Sequence, residues 1–124
     1  MNEERISQIV QHEISVVIPT IGRSILSKCL QSISEGNELP GRLIVVDQSS
    51  NREIAEWLGP LMSSGVETKY VASSQTGRAS GVNRGLEQVK SRFIAITDDD
   101  CLVAKDWLQR MLIHLKQSPD TVMT

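Results

Sequence analysis

Three consecutive carboxylates, Asp98, Asp99 and Asp100, follow directly after an apolar stretch of the 124-residue chain. The stretch, residues 92–97, is apolar enough to predict a buried strand. Acidic side chains at the end of a buried strand repel one another unless a cation neutralises them. The sequence therefore predicts a cation site at the end of this strand.

The spacing of the acids favours a hard divalent cation. On an extended backbone alternate side chains share a face, so Asp98 and Asp100 would point the same way. Oxygen-only ligands favour Mg²⁺ or Mn²⁺ over zinc. The alternative interpretation is a solvated acidic turn, or capping of the helix that follows. We favour the metal because the acids follow an apolar strand within an α/β pattern.

The elements that must position these acids alternate along the chain. Short apolar or β-branched runs predict strands at residues 14–18, 43–46, 68–71 and 92–97. Apolar residues at helical spacing predict helices near 25–33, 54–61, 79–89 and 105–116, the second disturbed by Gly59-Pro60. This alternation predicts an α/β fold, a mostly parallel sheet flanked by helices on both faces. In the third helix, the predicted buried face carries Ala79, Val82, Leu86 and Val89.

The predicted domain organisation is simple. Residues 1–12 are polar and are interpreted as an N-terminal arm, and residues 13–124 as one domain. Residues 121–124 resemble the beginning of a further strand, so we expect the domain to be incomplete at its C-terminus.

Two further segments are expected at the same edge of the sheet as the acids. In parallel sheets ligands bind outside the carboxyl ends of the strands. Pro19 and Thr20 follow the first strand, and Asp47 follows the second. A carboxylate at that point suits a hydrogen bond to a ribose hydroxyl or to a base N–H. It could equally tether the polar turn at residues 48–51 to its own backbone, and both interpretations stay open.

The segment Gly77 to Gly85 opens the third helix. A helix start offers unpaired N–H groups and a positive dipole end, and Arg78 could meet a base or a phosphate. The alternative is an ordinary helix start whose small residues allow close packing of the helix on the sheet.

Composition and charge exclude several classes of protein. Hydrophobic residues make up 40% and charged residues 23%, with a formal net charge of -2, so no basic stripe for nucleic acid is present. No apolar run approaches the roughly 20 residues of a membrane helix, and the acidic N-terminus lacks a signal-type core. We therefore expect a cytoplasmic chain in which Cys29 and Cys101 are reduced core residues.

Competing nucleotide-binding classes lack their motifs here. A P-loop enzyme needs Gly-x-x-x-x-Gly-Lys-Ser/Thr after the first strand, and a dinucleotide-binding domain needs Gly-x-Gly-x-x-Gly there. The loop at this position reads Pro19-Thr20-Ile21-Gly22-Arg23. A phospho-acceptor receiver domain places its acid pair after the first strand, whereas the acids here come last.

Taken together, four segments resemble the nucleotide-sugar-binding half of a family 2 glycosyltransferase with the GT-A fold. They are residues 14–20, 43–50, 77–85 and 93–100, and Lys105-Asp106-Trp107-Leu108 resembles the family's following helix. The resemblance spans about residues 13–115. It implies transfer of a sugar from a nucleoside diphosphate donor, of UDP type, to an acceptor hydroxyl with inversion at the anomeric carbon.

The resemblance also implies roles for individual residues. Pro19 and Thr20 would line the nucleotide pocket, and Asp47 would contact the base. Arg78 and Asn83, in the glycine-rich segment, would help to close the pocket. In the family's Asp-x-Asp element, Asp100 would bind Mn²⁺ or Mg²⁺ directly, and Asp98 would bind ribose or the metal.

No catalytic base is assigned. The family's base is a carboxylate that comes after the metal motif, and neither Asp106 nor Asp120 matches that position. We expect the base to lie C-terminal to this chain, with the acceptor, a glycan, lipid or small molecule, left undefined. The alternatives are a nucleotide-sugar-binding module without turnover and a nucleotidyltransferase.

Overall fold

Four parallel strands form the centre of the molecule in the computed structural model, which describes residues 13–51 and 53–117. The strands are β1 (Ile14–Thr20), β2 (Arg42–Asp47), β3 (Glu67–Ala72) and β4 (Phe93–Ile96). Their order in the sheet is β3-β2-β1-β4, and every pairing is parallel. The predicted parallel sheet is confirmed, and β1 continues through Pro19 and Thr20, which the sequence placed in a loop.

Five helices connect or follow the strands in the described residues. They are α1 (Ile25–Ser34), α2 (Ile54–Trp57), α3 (Gly59–Ser63), α4 (Arg78–Leu86) and α5 (Trp107–Gln117). The break between α2 and α3 falls where Gly59-Pro60 predicted it, because proline lacks the N–H that would continue the helix. The described helices include none that is long and apolar enough to cross a membrane. The predicted arm at 1–12 and strand at 121–124 lie outside the described residues.

The helices cover the two faces of the sheet unequally. On one face, α1, α2, α3 and α5 pack over a large apolar cluster that includes Val16 and Ile18 of β1. On the other face α4 packs against β1 and β2, over a small cluster built on Val17, Ile44 and Val46. Alternate residues of β1 therefore serve opposite faces, as the pleat requires.

The face that helix α4 turns to the sheet is only partly the one predicted. Ala79 and Leu86 are exposed, and the buried residues of the helix are Gly81 and Gly85. A Cβ atom added at Gly85 would lie 2.5 Å from Cγ1 of Val17. The helix thus approaches the strand too closely for a side chain at Gly85. Of the predicted residues, Val82 is half-buried and Val89 packs against the small cluster. Hydrophobic spacing did not identify the two buried glycines, because they have no side chain to count.

The strand order creates a crevice at one point of the sheet. From β1 the chain steps outward to β2 and β3, and it then returns to the opposite side of β1 to form β4. Connections on the two sides of β1 consequently lie on opposite faces of the sheet. Ligands of open parallel sheets bind at such a switch point, here between the carboxyl ends of β1 and β4.

Candidate functional site

A cleft of about 340 Å³ lies at this switch point. Three segments form its walls: the end of β1 with its loop, the start of α4, and the acidic loop after β4. Gln48 completes the wall beyond β2. The lining residues are Pro19, Thr20, Ile21, Arg23, Gln48, Gly77, Arg78, Asp98, Asp99 and Asp100.

The sequence predicted an extended backbone at the three acids, but they lie in a turn after the strand. β4 ends at Ile96, and the backbone turns so that the N–H of Cys101 donates to the carbonyl oxygen of Asp98, at 3.2 Å. The turn nevertheless gathers the outer two acids. One ligand atom from each of Asp98, Asp100 and Cys101 can be chosen so that all three lie within 4.8 Å of one another.

The middle acid, Asp99, points into the protein and is 3% exposed. Its Oδ2 accepts a hydrogen bond of 2.8 Å from the hydroxyl of Thr20. Its other oxygen forms an ion pair with the guanidinium of Arg23. The hydrogen bond and charge of Asp99 raise the pKa of Arg23 above its usual value.

The outer acids meet one arginine from the loop after β1 and one from the start of α4. Nε of Arg78 donates to Oδ1 of Asp98 at 2.6 Å. Arg23 reaches Asp100 at 3.8 Å, in addition to its pair with Asp99. The two guanidinium groups therefore offset part of the negative charge that three adjacent carboxylates would otherwise concentrate.

Asp47 lies at the end of β2, beside Thr20 in the sheet register, and is 1% exposed. Its Oδ1 accepts hydrogen bonds from the backbone N–H and the hydroxyl of Ser49, at 2.8 and 2.6 Å. The hydroxyl of Tyr70 donates to Oδ2. Asp47 thus tethers its own turn, one of the two roles that its position allowed.

The turn after Asp47 supports the neighbouring walls of the cleft. The side-chain amide of Asn51 donates to the carbonyl oxygen of Gly22 at 2.9 Å, which ties this turn to the β1 loop. The amide of Gln48 donates to the carbonyl oxygens of Gln75 and Gly77, at 2.9 and 2.8 Å. Gly77 has a φ of 99°, a left-handed conformation that glycine tolerates, and it directly precedes α4 and lines the cleft with the acids.

Two of the acids suit a divalent cation. Asp98 and Asp100 offer carboxylate oxygens, the ligands that Mg²⁺ and Mn²⁺ prefer, at the open side of the cleft. Asp99 is already bound to Thr20 and Arg23, so it is not available as a third ligand. Few protein ligands are usual where substrate phosphates complete the coordination shell.

The structure brings together most of the residues singled out in the sequence. Pro19, Thr20, Arg78, Asp98 and Asp100 share the cleft. Asp47 and Asn83 are absent from its lining. Asn83 is exposed on α4 and borders a separate polar depression of about 610 Å³, on the other side of the helix start.

Four residues of the cleft had no predicted role: Ile21, Arg23, Gln48 and Asp99. Ile21 is 63% exposed, an unusual position for an isoleucine. The sequence did contain a signal for Ile21: it is a large apolar residue in a polar loop at the carboxyl end of a strand, where ligands bind. Arg23 and Asp99 form an ion pair although they lie 76 positions apart in the chain, and no local sequence pattern predicts such a contact.

A larger groove of about 790 Å³ adjoins the cleft along β4 and α5. It shares Arg78 and Asp98 with the cleft, and its floor includes Cys101, Trp107 and Met111. Cys101 is exposed, which corrects its prediction as a core residue, whereas Cys29 is buried and both thiols are free.

A parallel sheet with acids and a helix start at its switch point defines an α/β protein of the kind that binds ligands at the carboxyl edge of its sheet. The family described as Glycosyl transferase family 2 matches residues 15–124, and the chain belongs to that family. A comparison with the curated proteins gave no match.

Solved structures share the fold. The crystal structure of S. aureus TarS aligns with a TM-score of 0.72 and 19% identity, covering 85% of this chain and 20% of that one. The structures of S. aureus TarS 1–349, alone and in complex with UDP, align with the same score and identity and are covered to 32%. This chain therefore spans a fifth to a third of the structures it matches.

Proposed function

We propose that this chain is the donor-binding part of a metal-dependent glycosyltransferase. The donor is a nucleoside diphosphate sugar of UDP type, and the sugar passes to an acceptor hydroxyl with inversion. The observation that carries the proposal is the cleft at the β1–β4 switch point, where acids, a helix start and an arginine converge. Membership of glycosyl transferase family 2 supports sugar transfer over nucleotidyl transfer. The UDP complex of TarS supports a uridine nucleotide.

The nucleoside would lie between the end of β1 and the turn after β2. Pro19 and Thr20 line the cleft there, and the exposed Ile21 offers an apolar surface for a base or ribose. Asp47 adjoins Thr20 in the sheet, and it would reach a base N–H by exchanging its bond with the Tyr70 hydroxyl. Asn83 would contribute only through a rearrangement of the loop before α4.

The diphosphate would lie between Arg78 and the outer acids. A guanidinium group matches phosphate oxygens in geometry and charge, and the start of α4 adds N–H groups and a positive dipole end. Asp98 and Asp100 would hold Mn²⁺ or Mg²⁺ against the same phosphates. A bound cation would stabilise the negative charge that develops on the leaving diphosphate.

Calorimetric titration with UDP and UDP-sugars, with and without Mn²⁺, tests the proposal. We expect binding that depends on Mn²⁺ and that weakens at least roughly tenfold in Asp100→Asn, the range of a damaged metal site. Glu87→Gln is the matched control, because Glu87 pairs with Arg84 outside the cleft. Absence of UDP binding under both conditions would refute the proposal.

Turnover is a separate question from binding. Release of UDP from UDP-sugars by the chain, measured over hours, distinguishes a catalytic protein from a module that only binds. We expect binding without appreciable hydrolysis, because none of the acids that line the cleft is left for a base once Asp98 and Asp100 hold a cation and Asp99 is buried. Rapid hydrolysis would show that the base is present in this chain.

A further inference from the structure

Arg78 forms an ion pair with Asp98, one of the two carboxylates that would bind a cation. Its Nε donates to Oδ1 of Asp98 at 2.6 Å, and both side chains are about half exposed, at 56% and 47%. Ion pairs of this exposure are weak and open readily. A cation approaching Asp98 and Asp100 would therefore compete with a guanidinium group that is already in place.

The balance of charge disfavours a cation that arrives alone. Three carboxylates face two guanidinium groups, which leaves a single net negative charge in the acidic loop. A divalent cation placed on Asp98 and Asp100 would also lie close to both arginines. Displacing Arg78 without giving it another anion would leave its charge unpaired.

A diphosphate removes this conflict. Arg78 lies at the first position of α4 and lines the cleft, so its guanidinium can exchange one anion for another by rotation of the side chain. Phosphate oxygens suit the planar fork of arginine as well as a carboxylate does. Asp98 then becomes free for the cation, and the phosphates supply the cation with further oxygen ligands.

We propose that Arg78 is a switch that exchanges Asp98 for the donor diphosphate, so that cation and nucleotide bind cooperatively. The inference rests on the proposed function and adds an energetic coupling between the two ligands. Coupling of this kind is reciprocal: Mn²⁺ strengthens UDP binding by the same factor by which UDP strengthens Mn²⁺ binding. Typical factors are roughly 5- to 150-fold.

Binding of Mn²⁺ without nucleotide is the decisive measurement. Electron paramagnetic resonance of free Mn²⁺ gives its affinity for wild type and for Arg78→Gln, and calorimetry gives UDP affinity with and without Mn²⁺. We expect Arg78→Gln to bind Mn²⁺ alone roughly two- to fivefold more tightly, the range of an exposed ion pair. The same variant should bind UDP more weakly and show a smaller coupling factor.

Two further variants sharpen the comparison. Arg78→Lys keeps a positive charge that can still pair with Asp98, so its affinity for Mn²⁺ alone should stay near that of wild type. Arg84→Gln removes an arginine from the same helix that pairs with Glu87 outside the cleft, and it should change neither affinity. Circular dichroism verifies that each variant is folded.

The possible failures are distinguishable. If wild type binds UDP with Mn²⁺ but Arg78→Gln binds Mn²⁺ alone no more tightly than wild type, the switch is wrong and the proposed function stands. If wild type binds no UDP under either condition, the proposed function fails and the switch fails with it.

Discussion

The hydroxyl of Thr20 donates a hydrogen bond of 2.8 Å to Oδ2 of Asp99, which joins two residues 79 positions apart in the chain. The bond fixes the end of β1 against the acidic loop that follows β4. Asp99 is buried, whereas Asp98 and Asp100 lie at the open side of the cleft. The inner acid therefore shapes the site, and the outer two are left for ligands.

Replacement of Thr20 by valine should destabilise the protein. The variant keeps the shape of the side chain but removes the hydroxyl, so buried Asp99 loses one of its donors and the N–H of Gly22 loses its acceptor. We expect the free energy of unfolding to fall by about 1–2 kcal/mol, the cost of a buried acceptor left short of a hydrogen bond. Urea unfolding measures the change.

The control for this prediction is Ser24→Ala, four residues further along. Ser24 is exposed and its side chain makes no capping hydrogen bond, so the change should stay within about 0.5 kcal/mol. Equal stability of Thr20→Val and wild type would show that the bond to Asp99 contributes nothing.

Substitution of Gly85 by alanine should also destabilise the fold. The new Cβ would lie 2.5 Å from Cγ1 of Val17, and α4 would have to move away from the sheet. We expect a loss of about 1–3 kcal/mol from overpacking. Gly59→Ala is the control, since no atom beyond its chain neighbours lies within 4 Å of the added Cβ. Gly59 precedes Pro60, which disfavours a helical residue with a Cβ and offsets the gain in helix propensity, so the change should stay within about 0.5 kcal/mol. A stabilised Gly85→Ala variant would contradict the close approach of α4 to β1.

Tyr70 is the one tyrosine in the sequence, so phenolate absorbance reports on it alone. Its hydrogen bond to Asp47, then partial burial, then the charge of Asp47 raise its pKa above the usual value. The stability contributed by this group is therefore fully present below about pH 10, the unfolded pKa, and is lost as the pH rises through the folded pKa. We expect the folded protein to titrate at higher pH than the protein in urea.

The source of the Tyr70 shift can be tested on the same titration. Asp47→Asn removes the charged acceptor and should bring the folded transition back toward about pH 10. Glu67→Gln alters an acid on the same strand that pairs with Arg42 and should leave the transition in place. A folded transition at or below that of the unfolded chain would count against the bond to Asp47.

The two thiols should differ in reactivity. Cys101 is exposed, whereas Cys29 is buried and its burial raises the pKa of the thiol to about 12. Because the thiolate is the reactive form, alkylation at neutral pH should modify Cys101 alone until the protein unfolds. Mass spectrometry after brief alkylation identifies the modified residue.

The alkylation of Cys101 can also report on the cleft. Its Sγ lies in the same group of potential ligand atoms as Asp98 and Asp100. Under the proposed function, Mn²⁺ with UDP should slow its alkylation more than either ligand does alone. The Cys101→Ser variant is the control and should show no fast alkylation. If Cys29 were modified as rapidly as Cys101 in the folded protein, the burial of Cys29 would be contradicted.

The strands and the edge where the site lies were predictable because their signals are local. Runs such as Leu43 to Val46 are apolar enough to be buried on both faces, and that pattern needs no knowledge of distant residues. Once the strands were known to be parallel, Thr20 and Asp47 had to lie side by side at the carboxyl edge.

The rest of the site depended on contacts that sequence spacing does not encode. Alternation predicted that Asp98 and Asp100 share a face, and they do converge, but a turn rather than an extended strand brings them together. The burial of Asp99 follows from its partners Thr20 and Arg23, which lie on the first strand and its loop. The exposed position of Asn83 follows from Gly81 and Gly85, whose lack of side chains turns that helix face to the sheet.

The position of β4 in the sheet has a consequence for how the site opens. β4 has four residues, it pairs with β1 across more than 70 positions of chain, and it is the outermost strand on its side of the described sheet. A short outer strand is held by hydrogen bonds along one edge only, so it opens locally at a lower free energy than an inner strand. Any ligand that contacts both Thr20 and Asp100 would therefore stabilise the pairing of β4 with β1, and it would slow amide exchange in β4 more than in β2. Ligand binding in the cleft and local opening of β4 are thus thermodynamically linked, because a ligand that binds only the closed form lowers the population of the open form.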